Sequence, residues 1–268
     1  MKAYLTQKNP PVIKILMLSS VLFLTACQPK DANQEKASQD SSSVAKTDQW
    51  VASKTVVFTA TQPKSCDAGE CTKYDLQTVE TNYPWINEYF IERIKKTVPL
   101  AFQADKNSAA SEAIVASKTI DEKNLGESSV VIRFIGQNQN LATFEMLSYT
   151  YNAGAAHGMY HKEYVNFDLK SKKRIALQDL IVAGTEKKLI ENLYRNNMMW
   201  LDDHSIEQAK LQLSDNFYYG ANGIVFVYPL YDLASYAEGM SELTLPYQST
   251  AGLINAGYLP NLPQYKTE

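Results

Sequence analysis

The chain is poor in the residues that metal and nucleophile chemistry uses. Its 268 residues hold three cysteines and three histidines. A His-Glu-x-x-His zinc signature is absent, as is the Gly-x-Ser-x-Gly elbow that presents a serine nucleophile. No glycine-rich phosphate loop occurs, which removes the usual nucleotide cradle, so no cofactor is expected. The 26 lysines and arginines face 29 acidic residues and form no basic cluster, which argues against a nucleic-acid partner. After residue 26 no apolar run approaches the ~20 residues that a bilayer span needs. Internal repeats are lacking too.

What is present begins at the N-terminus. Lys2, Lys8 and Lys14 make a positive segment without acidic residues, and an apolar run from Ile15 to Leu24 follows, broken only by Ser19 and Ser20. This is the layout of an export signal, too short to span a membrane. It ends in Leu24-Thr25-Ala26-Cys27, which looks like a lipobox: a small residue at −1 admits the peptidase, and the Cys27 thiol accepts the diacylglyceryl thioether. The expectation is a signal peptide over 1–26, cleavage before Cys27, and attachment to a lipid bilayer through acylated Cys27. An ordinary secretory signal with an incidental cysteine is the alternative. Against it stands the stretch 27–48, rich in Ser, Gln, Lys, Asp and Ala. It has too few apolar residues to offset the entropy of ordering and reads as a disordered tether. The twenty-one residues 28–48 reach roughly 25 Å. Gln28, not Asp, follows the cysteine, which implies outer-membrane delivery facing the periplasm if the cell is Gram-negative. Removing 26 of 268 residues leaves 242, and losing the three lysines takes the net charge from −3 to −6.

Cys66 and Cys71 bracket Asp67-Ala68-Gly69-Glu70. In an oxidising compartment two cysteines this close usually pair, and a disulfide closing a small hairpin is expected. Four intervening residues exclude a C-x-x-C redox motif.

From Trp50 onward the pattern is that of a folded body. Lys54–Thr61 and Tyr74–Thr81 are β-rich runs flanking the cysteine turn. Pro84 opens a helix, with Asn82 as its expected cap and a buried stripe at Trp85, Ile86, Tyr89, Phe90 and Ile94. Residues 105–127 read as a loop with a helix near 111–118. Hairpins are expected over 129–152, with its turn at 137–140, and over 216–229, with its turn at 220–223. Strands are expected at 160–169 and 241–247, and one helix at 185–203. Strands cluster in hairpins and helices are inserted between them. The fold class is therefore α+β, with antiparallel sheets built from hairpins rather than alternating βαβ units. Two modules are expected, a small α+β module at 49–145 and a second α+β domain at 146–268.

Four segments in order carry a resemblance. They are Tyr151-Asn152-Ala153-Gly154-Ala155-Ala156-His157-Gly158; Tyr164–Leu169 followed by Ile175–Leu180; Phe217-Tyr218-Tyr219 with Gly223–Phe226; and Tyr231–Gly239 leading to Leu243–Tyr247. Together they resemble a domain family of unknown function that forms the ectodomain of RsiV-type anti-sigma factors. That resemblance implies binding rather than catalysis, since those ectodomains are lysozyme receptors. A lysozyme-type protein or peptidoglycan is then the implied partner. Neither the sigma-binding segment nor a deacetylase domain is present, so anti-sigma signalling is not implied.

The candidate binding residues are His157, Tyr231, Asp232 and Tyr236. Seventeen tyrosines are many, and several fall within 149–164 and 218–247. Tyrosine joins an apolar face to a polar tip and is enriched at recognition surfaces, although half-buried strand packing uses it equally well. His157 and His161 would lie about 13 Å apart on a strand, too far to share a metal. His157 is expected in a hydrogen-bonded turn, with no metal ligand and no catalytic residue. The reading is a non-enzymatic envelope binding module. The alternative is a peptidoglycan-active hydrolase or a deacetylase accessory using carboxylates such as Asp232, Glu238 and Glu242.

Overall fold

The computed structural model describes residues 49–62, 64–67, 70–103 and 125–261. The expected signal peptide, Cys27, the tether and the helix near 111–118 lie outside the described residues.

The β-rich runs around the cysteine turn become β1 (Ser53–Val57), β2 (Lys64–Asp67) and β3 (Glu70–Thr81). Both β1 and β2 pair antiparallel with β3, with Ser53 opposite Thr81 and Cys66 opposite Cys71. The expected disulfide is present and staples two directly opposed residues, their Cα atoms 4.0 Å apart. The strand is longer than the β-rich run because the hairpin carries pairing through the polar residues up to the turn.

Helix α1 (Pro84–Thr97) starts at a proline whose fixed φ suits the first turn. Ile86, Phe90 and Ile94 are fully buried on one stripe, and Trp85 and Tyr89 pack half-buried beside them. Asn82 does not cap the helix. Its side chain accepts from Ala52 N and donates to Trp50 O, tying down the chain entering β1.

Strand β4 (Leu125–Asn138) then lies parallel to β3, from Cys71 opposite Leu125 to Gln77 opposite Val131. This pair departs from the all-hairpin expectation. A parallel neighbour needs a long crossover, and the stretch containing α1 supplies it. The apolar run Val130-Val131-Ile132 fits either direction, so the sequence carried no sign of it. Strands β5 (Leu141–Tyr151), β6 (Met159–Asp168) and β7 (Lys173–Arg174) complete a seven-stranded sheet in the order β1-β3-β4-β5-β6-β7, with β2 on β3. The β4–β5 turn is tighter than expected, with only Gln139 and Asn140 between strands and Gln139 at φ 50°.

In the second half, α2 (Leu177–Leu180), α3 (Glu186–Asn196) and α4 (Met198–Asp203) precede a three-stranded sheet of β8 (Phe217–Tyr219), β9 (Gly223–Tyr228) and β10 (Ser241–Pro246). The order of that sheet is β10-β9-β8. The single helix expected at 185–203 is broken at Asn197. Its amide donates to Leu193 O and Thr244 O and accepts from Thr244 N, pinning the break to β10. The α+β class stands, with mostly antiparallel sheets.

Two apolar cores result. The first draws on residues 51–169 and centres on Phe90, Phe144 and Phe167, whose rings sit 5.2–5.9 Å apart. The second draws on residues 175–259 together with Leu141. Position 145/146, where two modules were expected to meet, lies inside β5. Successive residues of a strand face opposite ways, and β6 uses both faces. Val165 and Phe167 enter the first core, whereas Tyr164 packs on Val225 and Val227 of β9. The β6 edge left open beyond β7 is closed by side chains. Asn216 accepts from Tyr164 N at 2.7 Å and donates to Lys162 O at 2.7 Å, as a peptide group of a neighbouring strand would. The Asn166 side chain ties β6 to its neighbours, accepting from Thr143 Oγ1 of β5 and donating to Phe217 O of β8.

Candidate functional site

Three of the four candidate residues meet in one aromatic stack. His157 ends the turn that precedes β6. Tyr236 opens a 3-10 turn over Tyr236–Glu238 that Ser235 and Glu238 close on each other. The His157 ring lies on Tyr236 with centroids 4.3 Å apart at 30°. Tyr231 also lies against Tyr236, 5.8 Å away at 30°. Tyr160 of β6 meets Tyr236 edge-on at 6.4 Å. These are spacings at which aromatic rings attract.

The stack is held by its backbone. Tyr236 donates its hydroxyl to Gly158 O at 2.9 Å, and His157 Nδ1 lies 3.0 Å from the same carbonyl. The expected hydrogen-bonded turn at His157 is thus present. Gly158 also lets the Tyr149 ring close in, because a Cβ there would lie 2.3 Å from that ring. Behind the 3-10 turn Gly239 takes φ 82°, a conformation that costs glycine little. Like His157, Tyr231 is exposed. It has φ 68°, rare for a residue with a side chain, and shows 56% of its surface. Tyr149 and Tyr160 escaped the sequence reading, although their place in a tyrosine-rich stretch was the available signal.

A second link comes from α4. His204 stacks on Trp200 at 3.9 Å, and its Nε2 lies 2.6 Å from Glu238 Oε2. The hydrogen bond to Glu238, then that to Trp200 O, raises the His204 pKa; the same contact with His204, helped by Ser235, lowers that of Glu238. Because Glu238 ends the turn that begins at Tyr236, this pair steadies the stack from outside.

Asp232 parts from its neighbour Tyr231 and lines an open pocket of about 430 Å³ instead. Its floor is Glu163 of β6, held between Arg93 of α1, which donates to it, and Arg174 of β7, 3.7 Å away. Burial works against the Arg93 charge, but the hydrogen bond and charge of Glu163 prevail and raise its pKa. His161, Asp215 and Asp232 are among the residues of its wall. His161 and Glu163 point to one face of β6, so Tyr160 on the opposite face belongs to the stack and not to the pocket. Glu238 and Glu242 are occupied elsewhere, with His204 and the Tyr218 hydroxyl. Burial, then Glu242, pushes Tyr218 up to about 12. Among the described residues no group of three or more His, Cys, Asp and Glu converges on a metal position, and no helix is long and apolar enough to cross a membrane.

Comparison with known proteins finds relatives of the fold. The solved structure of a DUF3298 family protein from Pseudomonas aeruginosa PAO1 matches with a TM-score of 0.57 and 18% identity, covering 81% of this chain and all of that one. A member of the same family from Bacteroides fragilis NCTC 9343 matches with a TM-score of 0.54 and 18% identity, covering 77% of this chain and 94% of that one. At this identity the likeness is one of fold. No curated protein matches the chain. Residues 178–248, which hold most of the second core and the Tyr231–Tyr236 arm of the stack, match the family described as "Protein of unknown function (DUF3298)".

Proposed function

We propose that the chain is a non-enzymatic binding module of the cell envelope, anchored by lipid on Cys27, with the His157–Tyr236–Tyr231 stack as its recognition surface. The observation that carries this reading is Tyr231. A half-exposed aromatic held at positive φ on a stack of two further rings is an arrangement that packing alone does not require. Strained backbone that the surroundings hold in place concentrates at functional positions. A preordered aromatic anchor also gives up little entropy on binding, which is why Tyr recurs among hot spots.

The ligand proposed is a basic wall-lytic protein of the lysozyme type. The RsiV-type resemblance supports it, and the mature charge of −6 favours encounter with a basic partner. Calorimetry with lysozyme at ~0.15 M ionic strength tests it. Binding is expected, and Tyr231→Ala should weaken it by about 2 kcal/mol. Absence of binding at tens of micromolar would remove lysozyme. Binding that survives Tyr231→Ala and Tyr236→Ala unchanged would remove the stack as the surface. The anchor is tested separately: Cys27→Ser should leave the protein uncleaved or release it in soluble form.

A further inference from the structure

We propose that the pocket on the β6 face opposite Tyr160 is a second binding site, for a small amino-carboxylate: an amino acid, or a short peptide end, bearing a free carboxylate and an ammonium. It is independent of the aromatic stack, and its failure would leave that reading untouched.

The volume of about 430 Å³ lies within the range of roughly 300–1,000 Å³ usual for small-ligand pockets. Its charges are sorted. Arg93 and Arg174 share the single carboxylate of Glu163, which leaves one positive charge uncompensated on the floor. The Nε–H of each arginine is buried without a hydrogen-bond partner, so neither guanidinium is fully satisfied by the protein. About 37% and 38% of their side-chain surfaces stay accessible, and both residues line the pocket. Planar donor forks of this kind suit a carboxylate.

The pocket also carries the other sign. Asp215 and Asp232 line it and are exposed, and neither side chain makes a hydrogen bond or ion pair with the described residues. Two free carboxylates and a guanidinium pair lining one pocket suit a ligand that is itself dipolar. A simple anion would meet the repulsion of both aspartates, and a simple cation that of both arginines. His161 also lines the pocket and adds a further polar contact.

Titration of the intact protein with the tripeptide Lys-D-Ala-D-Ala, followed by calorimetry and by NMR of the pocket residues, tests the site. The carboxylate should matter, so the tripeptide C-terminal amide should bind at least about tenfold more weakly, the loss of a charge-assisted contact. Acetylation of both amines should weaken binding of the acid similarly. Free lysine is the third ligand: binding equal to that of the tripeptide assigns a single amino acid, and weaker binding assigns a peptide end. Arg174→Gln should abolish the preference for acid over amide. Because that residue also holds Glu163, Asp232→Asn on the exposed wall provides the second variant. It should leave the preference for acid over amide in place and reduce that for free over acetylated amines. Equal binding of acid and amide by the parent protein, or no signal from either at about 10 mM, would overturn the proposal.

Discussion

Asn216 offers the sharpest test of how the two halves are joined. It is 7% exposed, and its side chain is the partner of two β6 backbone groups that no strand reaches. Asn216→Ala removes both partners at once. Tyr164 is itself buried, so its N–H would be left without hydrogen-bond partner or water, at about 1–3 kcal/mol. Lys162 is more open, so its carbonyl can be re-solvated and only the net value of a hydrogen bond is lost, about 1 kcal/mol. The sum is about 2–4 kcal/mol, a large share of a typical domain's stability. Asn216→Asp sharpens the point. It keeps an acceptor for Tyr164 N–H but sets a carboxylate against the Lys162 carbonyl, and should cost no less than alanine at neutral pH. Urea unfolding followed by tyrosine fluorescence and by far-UV circular dichroism measures it. A loss below 0.5 kcal/mol, on the scale of ordinary surface changes, would show that Asn216 does not stand in for a strand.

Other perturbations have equally definite outcomes. Replacing Cys66 and Cys71 together by serine should lower stability by about 2 kcal/mol in the chain-entropy model, because the loop is short; without reductant, mass spectrometry should find no alkylatable thiol at either position in the parent. Gly158→Ala pushes a methyl into the Tyr149 ring and should destabilise by about 1–3 kcal/mol, with altered near-UV tyrosine signals. The His204–Glu238 pair gives a pH signature. The raised His204 contributes stability that is full below the ordinary imidazole value of 6.5 and is lost as pH rises through its raised value. The lowered Glu238 contributes stability that is full above the ordinary carboxylate value of 4.5 and is lost as pH falls through its lowered value. Their contributions therefore overlap fully between those two values. His204→Gln should remove the decline on the alkaline side in denaturant titrations; an unchanged slope would refute the linkage.

Much of the local structure was legible because single residues announce it. Pro84 and the stripe Ile86, Phe90 and Ile94 declare α1, and Gly223 with the apolar run after it declares β9. The long-range choices were not. Parallel pairing of β3 with β4 depends on where α1 docks, which no window of local sequence contains. The break at Asn197 depends on Thr244, 47 residues away. The stack was half legible: Tyr231, Tyr236 and His157 stood out by type and spacing, but the parting of Asp232 from Tyr231 follows from a backbone turn at positive φ that a non-glycine residue gives no reason to expect. The arginine-floored pocket was invisible, since Arg93, Glu163 and Arg174 come from three separate elements.

The arrangement of the two cores along the chain bears on how the protein is made. A chain synthesised from its N-terminus presents residues 51–169 as a complete set, so the first core can close before anything after Leu169 exists. The second core borrows only Leu141 from the earlier part and then draws on 175–259 in unbroken succession. Apart from Leu141 and Asn138, which bonds Asn261, the early segment that waits for a late one is β6, where Tyr164 and the open strand edge stay uncovered until Asn216 and β9 arrive. That uncovered edge is the point in biogenesis at which a stalled or truncated chain would offer a free strand to its neighbours, and chains ending between residues 170 and 215 should be the aggregation-prone ones.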